Sequence, residues 1–95
     1  MKQTAMNTTT PTLPTVHMNG TPAKMLLEGY DTAMEKLQDA MDSISKIEFN
    51  ARDYYPQGPG AFEQAREERI ALMQRLQQSY DDLQTIAVHI YRQKR

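Results

Sequence analysis

Two long amphipathic segments, separated by a stretch rich in proline and glycine, constrain the fold of this chain more than any other feature. The first covers residues 22–49 and the second covers residues 61–92; between them residues 50–60 read NARDYYPQGPG. Apolar residues recur in both segments with the three- and four-residue spacing of a helix face. Proline and glycine interrupt regular structure. The pattern predicts an all-α fold, an antiparallel two-helix hairpin.

The start of the first helix is well marked. Asn19-Gly20 predicts a turn, Thr21 is a suitable N-cap, and Pro22 suits the first helical position. Its apolar residues occupy three neighbouring heptad positions. They are Leu26, Leu27, Tyr30, Ala33, Met34, Leu37, Ala40, Met41, Ile44 and Ile47.

The second helix has one apolar row with a charged residue inside it. Phe62, Leu76, Leu83 and Ile90 lie at heptad spacing, and Arg69 occupies the position between Phe62 and Leu76. A second row contains Ala65, Leu72 and Ile86, with Met73, Tyr80 and Ala87 alongside.

The remaining N-terminal residues lack a helical pattern. Residues 1–12 are rich in threonine, and we expect a disordered tail; residues 13–18 suggest an extended segment lying on the domain, which covers residues 13–95. In a chain of 95 residues, two helices bury little apolar surface. We therefore expect a homo-oligomer in which several hairpins form a helical bundle.

Composition excludes several classes of function. The net charge of −1 disfavours nucleic acid as a partner, and the longest apolar runs are too short to cross a membrane. The first residues do not resemble a signal peptide, and there is no cysteine, so we expect a cytoplasmic protein. No catalytic constellation is present, and His17 and His89 alone do not make a metal site. We expect a protein that is not an enzyme and has no cofactor or metal.

The loop between the helices is the first candidate binding site. Arg52, Tyr54, Tyr55 and Gln57 lie on a turn stiffened by prolines and glycines, which is unusual for a simple connection. The alternative is a packed corner in which the tyrosines cover the end of the helical core.

Arg66 and Arg69 lie beside this loop at the start of the second helix. Two interpretations stand. Either arginine contacts a phosphate while a tyrosine stacks on a base, or Arg69 is neutralised by Glu48 or Asp53, or extends to the surface.

The turn before the first helix is the second candidate site. Asn19, Gly20 and Thr21 offer polar groups and backbone amides at a helix N-terminus, and Lys24 adds a positive charge. The alternative is ordinary capping by Thr21. A helix of this length is roughly 40 Å long, so the two sites lie at opposite ends of one hairpin. They can meet only between protomers.

The TVHMNGT and RDYYPQGPG motifs, with a helix after each, resemble small proteins of bacteriophages and prophages. Over residues 15–92 the two-helix plan resembles phage nucleotide sponges, which sequester the cyclic signals of CBASS and Thoeris antiviral defence. The resemblance implies a multimer in the host bacterial cytoplasm that holds a cyclic oligonucleotide or cyclic ADP-ribose between protomers, without turnover. It implies that Tyr54, Tyr55, Arg66 and Arg69 of one chain act with Asn19, Thr21 and Lys24 of another. The alternative is a protein-interaction module, either a virion accessory protein or an adaptor that inhibits a host protein through its apolar helical faces.

Overall fold

The computed structural model describes residues 10–93, and they form a helical hairpin. Helix α1 spans Ala23–Ser45 and helix α2 spans Ala61–Gln93; two short 3₁₀ turns, Ala51–Asp53 and Tyr55–Gln57, lie between them. No strand occurs in the described residues. The predicted all-α class and the two-helix hairpin are confirmed. Most of the predicted tail, residues 1–9, lies outside the described part of the chain.

Helix α1 begins one residue later than the sequence predicts. Pro22 occupies the N-cap position with extended backbone angles, and its carbonyl accepts a hydrogen bond from the amide of Leu26 at 3.1 Å. No side chain caps this helix. Thr21 therefore does not have the capping role that the sequence suggested.

Helix α1 ends at Ser45, four residues before the predicted end at residue 49. The amide of Lys46 bonds back to the carbonyls of Ile44 and Ser43, which tightens the last turn. The Ser45 hydroxyl donates to the carbonyl of Asp42 at 2.7 Å. These local bonds end the helix and leave residues 46–60 to form the loop.

The core between the helices is small. Among the described residues, the buried hydrophobic side chains are Met41, Ala87 and Ile90. The seam continues on both sides of them through half-buried residues, which include Leu27, Met34, Leu37, Met73, Leu76 and Tyr80. In the second row of α2, Leu72 is exposed, whereas Ala65 and Ile86 are half-buried. Much apolar surface on both helices thus stays accessible in a single hairpin.

The segment before α1 is attached to the end of α2 through one side chain. The amide of Val16 donates to Gln93 Oε1 at 2.8 Å, and Gln93 Nε2 donates to the carbonyl of Pro14 at 3.1 Å. The segment lies beside the end of α2 and forms no strand.

Neither helix of the described residues has the length and apolarity required to cross a membrane.

Candidate ligand-binding site

An aromatic cluster fills the closed end of the hairpin. The ring centroids of Phe49 and Phe62 are 5.0 Å apart, and Tyr54 lies 5.8 Å from Phe49 and 6.0 Å from Phe62. Such edge-on and tilted contacts stabilise a small apolar cluster. Tyr54 therefore packs as the corner alternative predicted. Sequence reasoning passed over Phe49, although a phenylalanine just beyond a helical repeat was a usable signal for this cluster.

Arg69 belongs to the same corner. Its guanidinium donates to the carbonyl of Ile44 at 2.7 Å and to the carbonyl of Ile47 at 3.3 Å. The guanidinium carbon also lies 5.0 Å from the centroid of the Phe49 ring. These carbonyls stand at the negative end of α1, where a cation is favoured. Arg69 thus stabilises the end of α1. Its partners are these carbonyls, and not Glu48 or Asp53 as the sequence suggested.

Arg66 forms an exposed ion pair on α2. Its Nη2 atom lies 3.0 Å from Glu63 Oε1, one turn earlier on α2, and both side chains are at least half exposed. Pairs of this kind contribute little to stability. An arginine in such a pair can also leave its carboxylate for another anion at little cost in free energy.

The rest of the loop presents polar groups to solvent. Arg52, Asp53, Tyr55 and Gln57 are exposed, and the Tyr55 side chain is 72% accessible. Within the described residues, none of these four side chains forms a hydrogen bond or an ion pair. The backbone beneath them is held by 3₁₀ hydrogen bonds, including Gly58 N to Tyr55 O at 3.0 Å. The structure thus separates the two tyrosines: Tyr54 packs inward and Tyr55 remains accessible.

A tight turn precedes α1 at the other end of the hairpin. The amide of Gly20 donates to the carbonyl of His17 at 3.1 Å. The His17 ring lies so close to Gly20 that a Cβ atom added there would be 2.9 Å from Nε2. A side chain at this position would therefore displace the exposed His17 ring. Asn19 and Thr21 are exposed beside it, and neither side chain forms a hydrogen bond within residues 10–93.

Lys24 lies at the rim of a groove between the two helices. The groove has a volume of about 480 Å³, and its walls include Leu27, Asp31, Val88 and Tyr91. Its charged lining residues are Lys24, Glu28 and Asp31, which give it a net negative charge. Its size is that of a small-molecule site.

One hairpin does not bring the two candidate clusters together. The 23 residues of α1 separate the turn at Asn19–Thr21 from the loop at Arg52–Gln57, a rise of about 35 Å. No group of three or more potential metal ligands occurs among the described residues. The residues predicted to bind ligand therefore form two exposed polar clusters. Tyr54 and Arg69 are exceptions, because both pack at the closed end of the hairpin.

No protein-family model, curated protein or solved structure matches this chain.

Proposed function

We propose that this protein is a phage anti-defence protein that sequesters a cyclic nucleotide signal between protomers without turning it over. The observation that carries the proposal is the exposed, unengaged state of Arg52, Tyr55 and Gln57 on a stiff turn. A tyrosine face suits stacking on a base, and a guanidinium suits a phosphate. The resemblance to phage nucleotide sponges supplies the class of ligand.

The free hydroxyl of Thr21 supports a role for the second cluster. Under the capping interpretation this hydroxyl would bond to the first turn of α1, and no such bond occurs at the cap. Asn19, Thr21 and Lys24 are then available for ligand contacts at the positive end of the helix dipole. Arg52 and Lys24 are the cations that we place at the phosphates, because Arg69 is held by carbonyl oxygens.

Native mass spectrometry tests this proposal. The purified protein is measured with and without a panel of cyclic dinucleotides, cyclic trinucleotides and cyclic ADP-ribose isomers. We expect an oligomer that gains a defined number of ligand masses and releases the ligand unchanged after denaturation. A protein that binds no member of the panel at micromolar concentration, or that releases a hydrolysed product, would contradict the proposal.

Matched variants locate the site. Arg52→Ala is compared with Arg66→Ala, because both arginines are exposed and only Arg66 has an acidic partner. Tyr55→Ala is compared with Tyr54→Phe, which retains the packed ring. We expect the first variant of each pair to lose affinity at least tenfold, and the second to bind within about threefold of wild type.

A second candidate function is favoured by a different observation. Ile70, near the start of α2, and Val88 and Tyr91, near its end, are large apolar side chains that are partly exposed. Exposed apolar side chains of this kind can anchor another protein. A protein that binds no nucleotide, and whose capture of a host protein is lost in Ile70→Glu, would be an interaction module.

A further inference from the structure

We infer that Asn19 is a site of spontaneous deamidation, and that the contact between Gln93 and the segment before α1 controls the rate of the reaction. Deamidation converts the Asn19 amide into a carboxylate on the turn that leads into α1. The reaction depends on the geometry of this turn and of Gln93. Only its consequence for ligand binding rests on the proposed function.

Asn19 is followed by a residue without a side chain, as ring closure in this reaction requires. The backbone nitrogen of Gly20 attacks the side-chain carbonyl carbon of Asn19. A bond forms between these two atoms, the bond from that carbon to Nδ2 breaks, and Nδ2 leaves as ammonia with the proton of the Gly20 amide. Water then adds to either carbonyl of the cyclic imide and opens it to aspartate or isoaspartate. A Cβ on the following residue would crowd the ring, and Gly20 has none.

The two asparagines of the described residues differ in the properties that this reaction needs. The Asn19 side chain is exposed and forms no hydrogen bond within residues 10–93, so its carbonyl carbon is free to turn towards the Gly20 nitrogen. Asn50 is half-buried, its Nδ2 donates to Glu48 Oε1 at 3.5 Å, and Ala51 follows it. Asn19 is therefore the reactive position, and Asn50 is a reference within the same chain.

The folded turn restrains the attacking nitrogen. The Gly20 amide donates to the carbonyl of His17 at 3.1 Å, so its proton is engaged inside the turn. Ring closure requires this hydrogen bond to open, because the nitrogen must lose its proton and face the Asn19 side chain. The rate in the folded protein therefore follows the fraction of time that the turn is open.

Gln93 holds the residue next to the carbonyl that restrains Gly20. Gln93 Oε1 accepts from the amide of Val16 at 2.8 Å, and Gln93 Nε2 donates to the carbonyl of Pro14 at 3.1 Å. Val16 immediately precedes His17. Release of the segment from Gln93 thus leaves the acceptor of the Gly20 hydrogen bond less constrained, and the turn opens more often. A contact at the end of α2 in this way sets a reaction rate before the start of α1.

The product changes the charge of the turn. Aspartate or isoaspartate at position 19 is negative at neutral pH. Helix α1 has neither a side-chain cap nor an acidic residue in its first turn, and a carboxylate near this positive end of the helix dipole is favoured. Isoaspartate also lengthens the backbone of the turn by one carbon. Under the proposed function Asn19 contacts an anionic ligand, so the modified turn repels that ligand.

Peptide mapping by mass spectrometry tests the site without ligand. The full-length protein is incubated at neutral pH and digested, and the peptides containing Asn19 and Asn50 are scored for replacement of the amide by an acid. We expect conversion at Asn19 to be at least about tenfold faster than at Asn50, with both aspartate and isoaspartate present, and to slow about tenfold in Gly20→Ala. Equal rates at the two asparagines, or an unchanged rate in Gly20→Ala, would overturn the inference.

The control by Gln93 has its own test. Gln93→Ala is compared with Gln74→Ala, an exposed glutamine in the middle of α2, after circular dichroism has shown equal helix content. Conversion at Asn19 is expected to rise about threefold or more in Gln93→Ala and to stay at the wild-type rate in Gln74→Ala. A wild-type rate in Gln93→Ala would overturn the role of this contact.

Asn19→Asp supplies the aspartate product in pure form. In native mass spectrometry with the nucleotide panel, we expect its affinity to fall at least about tenfold, while Gln74→Glu, with the same change of charge, binds as the wild type does. Wild-type affinity in Asn19→Asp would overturn the consequence for binding. The two proposals fail separately. Conversion at Asn19 in a protein that binds no nucleotide overturns only the proposed function, whereas a nucleotide-binding protein whose Asn19 resists conversion overturns only the inference.

Discussion

Arg69 of helix α2 donates a hydrogen bond of 2.7 Å to the carbonyl oxygen of Ile44 in the last turn of helix α1. A second bond, to Ile47, and the contact with the Phe49 ring fix the same guanidinium. One side chain of α2 thereby adds a hydrogen bond to the Ile44 carbonyl, which also accepts from the amide of Ile47, and a second to the Ile47 carbonyl just beyond the end of α1. Arg69, the charged residue on the apolar row of α2, thus connects α2 to the end of α1.

Replacing Arg69 with leucine is expected to destabilise the protein. The loss of charge-assisted bonds to the carbonyls of α1 should reduce the free energy of unfolding by about 2 kcal/mol. Urea denaturation followed by circular dichroism, at fixed protein concentration, measures the change. Arg66→Leu is the control and should change stability by less than about 0.5 kcal/mol, because its ion pair is exposed. Equal or greater stability of Arg69→Leu would contradict this role.

Phe49 is expected to contribute more to the free energy of unfolding than Tyr55, whose side chain is exposed. Phe49→Ala removes ring contacts with both Phe62 and Tyr54, so a loss of about 2 kcal/mol is expected for this half-buried residue. Tyr55→Ala should cost less than about 0.5 kcal/mol, as expected for a surface substitution. The same denaturation experiment compares them, and equal losses would show that the cluster is assigned incorrectly.

Gly58 and Gly20 are expected to tolerate alanine differently. Gly58 has φ of 101°, a backbone conformation that costs other residues about 1–3 kcal/mol. Gly20 has no positive φ, and its added Cβ would meet the exposed His17 ring. Gly58→Ala should therefore lower stability, whereas Gly20→Ala should chiefly shift the His17 imidazole signals in NMR spectra. Unchanged His17 signals in Gly20→Ala would contradict the close contact.

Gln93 is expected to hold the N-terminal segment on α2. Its side-chain amide accepts from the amide of Val16 and donates to the carbonyl of Pro14. Gln93→Ala should accelerate hydrogen exchange at the Val16 amide and leave exchange in the middle of α1 unchanged. Gln74→Ala, an exposed glutamine in the middle of α2, is the control. Equal Val16 exchange in both variants would show that the segment is held by other contacts.

The fold followed from local patterns, whereas the details of the corner depended on contacts between distant residues. Apolar spacing and the Gly60 boundary are properties of neighbouring residues, so α2 was predicted almost to its ends. The end of α1 involves Arg69, which lies 25 residues from Ile44, and no local pattern contains that contact. Tyr54 and Tyr55 are adjacent and chemically identical, so sequence alone gave no reason to separate the packed ring from the exposed one. The capping role expected for Thr21 is absent because Pro22, with extended backbone angles, takes the N-cap position and no side chain caps α1.

Complementation between two defective variants tests the central claim most directly, namely that ligand is held between protomers. One variant carries Arg52→Ala and Tyr55→Ala, and the other carries Thr21→Ala and Lys24→Ala. Each alone should bind none of the panel nucleotide taken up by the wild type. After the two are mixed and exchanged, mixed oligomers contain interfaces with the intact loop of one variant and the intact turn of the other, so native mass spectrometry should recover ligand binding that neither variant shows alone. A mixture as inactive as its components, although mixed oligomers form, would contradict the account.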